Sequence, residues 1–224
     1  MARETWLLTP AEDEREGEIG LDVPLLGGVP YAEAGDSWPA EPATGEPMQF
    51  VLQFLAETVL HVVFIHAFTL VETGPHLVDG KGGVLVRRYE EPRLEPRTAL
   101  SVPEGMRRAP IYARIDRVLG FPSWEENDDA AITELCLKAR PDEPWEAYAS
   151  ATRALGEPEP DINAAKLFGY QLPLQGAIKY DCPDCDERME FLAQVYVSEG
   201  ADLNLYLFRC ARHRSRIAGV AQFT

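Results

Sequence analysis

Two short cysteine-bearing segments carry the clearest chemistry in this chain. Cys182 and Cys185 form a C-x-x-C in "YDCPDCDERMEF", and Cys210 and His213 form a C-x-x-H in "LFRCARHR". The 24 residues between the pairs are enough for a hairpin that brings its ends together. Two knuckles at the base of such a hairpin make a zinc ribbon, with three thiolates and one imidazole in a tetrahedral set. The spacing therefore predicts one zinc on Cys182, Cys185, Cys210 and His213. A thioredoxin-type redox pair opens a helix, whereas this C-x-x-C leads into the strand-like "MEFLAQVYV". The remaining alternative is two exposed thiols and a half-buried Cys210 with no metal. The fourth cysteine, Cys136, falls on a helix face and reads as core.

Elements able to hold such a cluster are mostly β. The run "FVLQFLAETVLHVVFIHAFTLV" (50–71) is apolar, but Gln53, Glu57, His61 and His66 interrupt it. A membrane helix would bury all four away from water at high cost, so the run reads as strands near 49–55 and 60–70. "GVLVRRYEE" is a further strand, and "GPHLVDGKGG" a loop. Helices are expected in "DDAAITELCLKA", capped by Asp128 or Asp129, and in "DEPWEAYASATRALG". In the second, Asp142 is the expected cap, Pro144 lies in the first turn and Gly156 ends the helix. Trp145, Tyr148 and Thr152 or Leu155 share its face.

An internal repeat organises the β-rich parts. Leu26, Gly28, Met48, Phe50 and Gln53 recur as Leu167, Gly169, Met189, Phe191 and Gln194, each pair 141 residues apart. With a few residues of drift His66 aligns with Cys210, and the first copy lacks cysteines, so zinc is not expected there. The fold class that follows is α+β, β-dominated. Two similar β-rich lobes arise from a duplication and are separated by a helical insert. The boundaries are an acidic lead-in at 1–22, a first lobe at 23–124, a helical insert and connector at 125–163, and a second lobe at 164–224.

Gln53 and Gln194 sit in runs otherwise fit for burial. Each either pins a neighbouring loop backbone or faces a groove and bonds a bound peptide. Trp38 and Tyr170, near the repeated motifs, are candidates for the rim of such a groove, with a core role as the alternative. His61 and His66 have odd spacing in a strand, so they point to opposite faces and do not share a metal. No nucleophile set, phosphate-cradling loop or acid/base pair is recognisable.

Acidic residues outnumber basic ones 37 to 21, for a net charge of -16. That balance disfavours nucleic acid, despite the local basic stretch "RCARHRSR", and suits a basic protein partner drawn by long-range attraction. The start of the chain has no apolar signal-like core, and the cysteines suit a reducing compartment, so the expected location is cytoplasmic.

"LLGGVPY", "PMQFVLQ", "CPDCDERMEFLAQVY" and "LYLFRCARH" together resemble the bacterial YwqG-like family, a domain of unknown function, and its distant eukaryotic relatives around programmed cell death protein 2. The resemblance runs from about residue 23, with the G-G-x-P at Gly27, Gly28 and Pro30 intact. In the second lobe Phe168 precedes Gly169 and Pro173 is displaced, and 95–160 is divergent. The resemblance implies binding rather than catalysis. The eukaryotic relatives are chaperones of a ribosomal protein, and the bacterial members often occur beside polymorphic toxins. The expected function is thus a protein- or peptide-binding module, an immunity protein or client-specific chaperone for a basic protein. The alternative is an enzyme with its pocket between the lobes.

Overall fold

The computed structural model describes residues 2–11, 20–72, 76–77, 82–92, 100–159, 161, 163–197 and 202–223. In chain order the elements are β1 (Arg3–Pro10), β2 (Leu25–Leu26), β3 (Gln49–Ala56), β4 (Val59–Ile65), α1 (Ala67–Glu72), β5 (His76–Leu77), β6 (Val84–Glu90) and β7 (Ile111–Gly120). A single 3-10 turn (Trp124–Glu126) then leads to α2 (Ala130–Ala139), α3 (Pro144–Ala154), β8 (Ala165–Leu167), β9 (Glu190–Val197), β10 (Leu203–Arg209) and β11 (Ile217–Phe223). The protein is β-dominated, and its described strands form one antiparallel sheet in the order β5-β11-β10-β9-β8-β1-β7-β2-β3-β4-β6. The sheet is continuous from arm to arm.

The centre of the sheet is the pair β1–β7, in register from Arg3 opposite Gly120 to Pro10 opposite Ala113. One arm leaves through β2, which pairs with β7 and then β3. The other leaves through β8, which pairs with β1 and then β9. The acidic lead-in expected at 1–22 is corrected here, because Arg3–Pro10 is a central strand. Its first two residues are charged, but Thr5 and Leu8, three apart and so on opposite faces of the strand, are both buried. The loop expected over 74–83 contains β5, which pairs with β11. Residues 12–19, 74–75, 78–81 and 93–99 lie outside the described residues.

Each arm contains a long hairpin with one extra residue. In β3–β4, Phe50 faces Phe64 and Leu52 faces Val63, leaving Val51 unpaired. In β9–β10, Phe191 faces Phe208 and Ala193 faces Leu207, leaving Leu192 unpaired. A bulge of this kind lets two successive side chains escape strict alternation. That is why Val51 and Leu52 are both buried in one cluster. This cluster joins Phe54, Val63 and Ile65 of one arm to Leu192, Val195 and Leu205 of the other. The two arms therefore share a single core, and burying it is the main stabilising term.

A second apolar layer covers each arm. On β3–β4 the layer is Met48, Phe50, Leu60, Val62 and Phe64 under Tyr31 and Trp38. On β9–β10 it is Met189, Tyr206 and Phe208 with Cys182 and Cys210, under Ile178 and Tyr180. The chain reaches these covers through left-handed turns at Gly28 and Gly169, both with φ +75. At Gly169 a Cβ would stand 1.9 Å from the Thr5 hydroxyl, so only glycine lets the loop pass this close to β1.

The helices match expectation with two changes. Asp129 caps α2, accepting from the amides of Ala131 and Ile132. Asp142 does not cap α3: the residue flanking the helix is Glu143, without a side-chain bond, while Pro144 opens the first turn. A proline there needs no donor partner, which lessens the need for a cap. On α3, Tyr148 and Thr152 are buried and Trp145 is 48% exposed, while Leu155, the residue that follows the helix, is 64% exposed. The strand expected over 60–70 ends at Ile65, and α1 follows.

Candidate metal centre

The first knuckle is a tight turn in the cover of β9. The Asp186 amide donates to the Cys182 carbonyl at 2.7 Å, the Cys185 amide to the same oxygen at 3.3 Å, and the Cys182 amide to the Glu187 carbonyl at 2.9 Å. Asp186 takes a left-handed φ of 57, which closes the turn and points Cys182 and Cys185 the same way. The second knuckle follows β10 directly. Here the His213 amide donates to the Cys210 sulfur at 3.2 Å, and the Cys210 amide bonds the Arg216 carbonyl at 3.1 Å.

Because β9 and β10 are neighbours, the two knuckles meet. Cys182 Sγ lies 3.6 Å from His213 Nδ1, Cys185 Sγ 3.7 Å from Cys210 Sγ, and Cys210 Sγ 3.9 Å from His213 Nδ1. All four ligand atoms lie within 4.8 Å of one another. A tetrahedral ion with metal–sulfur bonds of about 2.3 Å separates its ligands by roughly 3.8 Å. The cluster thus fits a metal ion. Cys182 and Cys210 are fully buried, Cys185 and His213 half-buried, and none is in a disulfide.

The electrostatics distinguish the thiols. The Glu187 backbone amide favours a Cys185 thiolate, but burial and the thiols of Cys210 and Cys182 outweigh it, pushing its pKa up to about 11. At Cys210 burial opposes ionisation, yet the backbone amides of His213 and Arg212 and the Cys182 thiol prevail and lower its pKa. Three thiols packed this closely cannot all ionise without a cation among them. Four protein ligands would leave no open position, so a bound ion would tie two loops together rather than activate a water.

Surface carboxylates occupy the basic stretch around the second knuckle. Arg209 and Arg214 pair with Glu57, Arg212 with Glu187 and Arg216 with Asp184. All four guanidiniums expected from "RCARHRSR" therefore have an internal partner.

The first arm holds different groups in the matching place. Glu41 and Thr44 stand 141 residues before Cys182 and Cys185, and His66 and Thr69 stand 144 before Cys210 and His213. His66 Nδ1 lies 2.8 Å from the Thr69 hydroxyl and its Nε2 lies 3.0 Å from Glu46. The loop there is closed by hydrogen bonds. His61 is buried on the opposite face of β4, stacked on Phe54 at 4.9 Å.

The other residues singled out from sequence are placed as follows. Gln53 is 5% exposed, and its Oε1 accepts the Tyr31 amide at 2.6 Å. Gln194 is fully buried, and its Oε1 accepts the Leu172 amide at 3.0 Å. Both amides therefore pin loop backbone, and the groove-facing role does not describe these oxygens. Trp38 donates to the Met48 carbonyl at 2.8 Å within the cover of β3. Tyr170 is half-buried beneath the Arg3 guanidinium, 4.8 Å from its ring centre. It also borders an open cleft of about 480 Å³ with Glu126, Lys179 and Arg188. Of the four, Tyr170 alone borders that cleft.

Gln171 and Lys166 belong to no motif or repeat position that the sequence marks. Gln171 ties Ile178 to the 3-10 turn, with its amide donating to Glu126 at 2.6 Å. Lys166 has a sequence signal, a lone cation inside "NAAKLF", which is otherwise apolar after Asn163. No helix among the described residues is long and apolar enough to cross a membrane. No family model, curated protein or solved structure matches the chain.

Proposed function

We propose that this protein is a cytoplasmic binding module for a basic protein, an immunity protein or a client-specific chaperone of the YwqG-like family, with zinc as a structural clamp. The observation that carries this reading is the make-up of the helical insert. Residues 124–161 contain 11 acidic and 3 basic residues, so this one segment supplies half of the net charge of -16. The same segment exposes Leu135, Leu137 and Leu155 at 66%, 45% and 64%. An acidic surface with exposed apolar side chains complements a basic partner that also has apolar anchors. Pairing of all four arginines of the 209–216 stretch supports a protein partner over nucleic acid.

The correspondence of the two arms supports duplication. The loop-pinning bonds Gln53–Tyr31 and Gln194–Leu172 are related by the same 141-residue shift. So are the isolated bridges Ala40–Pro47 and Asp181–Arg188. In this reading the first arm kept a hydrogen-bonded loop where the second holds zinc. The choice of zinc rests on three thiolates, one imidazole and the tetrahedral spacing.

The test is purification from the native host with photo-crosslinkers at positions 135, 137 and 155. Stoichiometric recovery of a basic protein crosslinked at these positions supports the proposal. Recovery of no crosslinked partner, or crosslinks equally dense on the sheet arms, overturns it.

A further inference from the structure

A cavity of about 270 Å³ lies between the helical insert and the second arm, distinct from the cysteine cluster. Trp124 and Tyr148 form an aromatic wall, with ring centres 5.8 Å apart, and the exposed Trp145 stands at the mouth. Leu172 closes another side, and Lys166 and Glu157 also line the space. The volume is near the lower end for ligand pockets, which run from about 300 Å³ upward, so the natural occupant is a single ring or a short chain.

Lys166 is unusual in this setting. Strand pairing fixes it between Leu7 of β1 and Gln194 of β9. Its Nζ lies 5.9 Å from the centre of the Phe191 ring, and no described carboxylate pairs with it. The corresponding residue of the first arm is Leu25, which is simply buried in the core. An ammonium without an ion-pair partner in apolar surroundings is costly, and the amine relieves that cost by losing its proton. Burial accordingly lowers the Lys166 pKa to about 8, against the opposing attraction of Glu157 and Glu126.

We propose that this cavity is a small-molecule site in which the Lys166 amine captures a small apolar aldehyde as an imine. The nitrogen lone pair attacks the carbonyl carbon, and the carbonyl π pair goes to oxygen. Glu157, in the same cavity, takes a proton from nitrogen and returns it to that oxygen. A second proton then passes from nitrogen to the hydroxyl by the same carboxylate, through a bridging water, and the hydroxyl leaves as one water while the nitrogen pair forms the C=N bond, with no net oxidation or reduction. The aromatic wall holds the apolar body of the aldehyde and keeps the amine away from bulk water. This site is independent of client binding, because its chemistry lies beneath α3 rather than on the exposed leucines.

The test treats the full chain with benzaldehyde and cyanoborohydride near neutral pH and maps adducts on the lysines by mass spectrometry. Lys138, on an exposed helix face and paired with Glu134, is the internal reference. An amine with a pKa about 2 units below the ordinary lysine value has roughly a hundredfold larger neutral fraction. Labelling of Lys166 at least about tenfold faster than Lys138, saturating with benzaldehyde concentration, supports the proposal. Trp145→Ala should raise the half-saturating concentration while leaving Lys166 reactive. Lys166→Arg should remove the fast adduct with an unchanged circular dichroism spectrum. If that variant does not fold, the wild-type ratio of Lys166 to Lys138 decides. Equal labelling of the two lysines, or a Lys166 rate linear in benzaldehyde, overturns the proposal, and neither result bears on partner binding.

Discussion

The side-chain oxygen of Gln53 accepts the backbone amide of Tyr31 at 2.6 Å, inside a strand that is otherwise apolar. Tyr31 begins the cover over β3–β4, so this one bond fixes where a loop lands on a sheet. Gln194 does the same for Leu172 at 3.0 Å on the other arm. In each case the donor is an amide with no strand partner, and the glutamine meets an obligation that secondary structure leaves open.

Replacing either glutamine by leucine should therefore cost more than the lost bond. The apolar side chain fits the strand, but the Tyr31 or Leu172 amide is left unsatisfied. The expected loss is about 1–3 kcal/mol of unfolding free energy, read by urea denaturation. Two variants as stable as the parent would show that water or another group takes over the amides.

Much of this arrangement is legible in the sequence, and the reasons for the rest are local. The cysteine cluster could be read because metal ligation demands particular residue types at short spacings, and hairpin geometry supplies the long link. The β3–β4 and β9–β10 runs are legible because they are long and apolar. β1 is not, since its charged residues and short apolar centre hide a strand whose burial depends on β7 and β8, more than 100 residues away in sequence. The joining of both arms into one sheet likewise depends on β2 and β8, which are two and three residues long and have no periodicity to detect. Gln53 and Gln194 were visible as polar residues in apolar runs, but only the fold decides between pinning a loop and facing a groove.

Metal removal should loosen the second arm. Protein grown in zinc-replete medium is expected to contain about one zinc per chain by elemental analysis. A strong chelator should lower its thermal midpoint and release the 180–190 and 210–216 loops to faster amide exchange, because metal binding free energy is folding free energy. Cys182→Ser should abolish the metal content. Cys136→Ser, at a buried helix position away from the cluster, should retain it. Metal-replete protein without zinc, or a chelator without effect on either loop, would count against the clamp.

Acid should weaken the first arm through His61. Burial, assisted by Arg88, lowers its pKa from 6.5 to about 4. The native state thus holds His61 neutral, whereas the unfolded chain protonates it near 6.5. Its contribution is fully present above that pH and is lost as pH falls from about 6.5 through about 4, by up to about 3 kcal/mol. In His61→Phe, which keeps a ring against Phe54, the unfolding free energy should depend less steeply on pH across this window. An unchanged slope would mean that other groups set the acid response.

Electrostatic steering should govern association with the proposed basic partner more than it governs folding. Glu125, Asp128 and Asp142 are exposed on the helical insert and hold no metal ligand or helix cap. Changing all three to lysine moves the net charge from -16 to -10, with each reversal adding two units. Exposed charges act over a Debye length of roughly 8–10 Å at physiological ionic strength, so their effect on encounter is large at low salt and fades as salt rises. The triple variant should associate about tenfold more slowly than the parent at low salt, with the difference shrinking toward high salt. Its thermal midpoint should stay close to the parent's, because exposed substitutions outside caps and ion-pair networks change stability by only about 0.5 kcal/mol. Surface plasmon resonance on the partner recovered by crosslinking reads both quantities. An association rate indifferent to salt and to all three reversals would place the partner's contact elsewhere and remove the acidic insert from the binding mechanism.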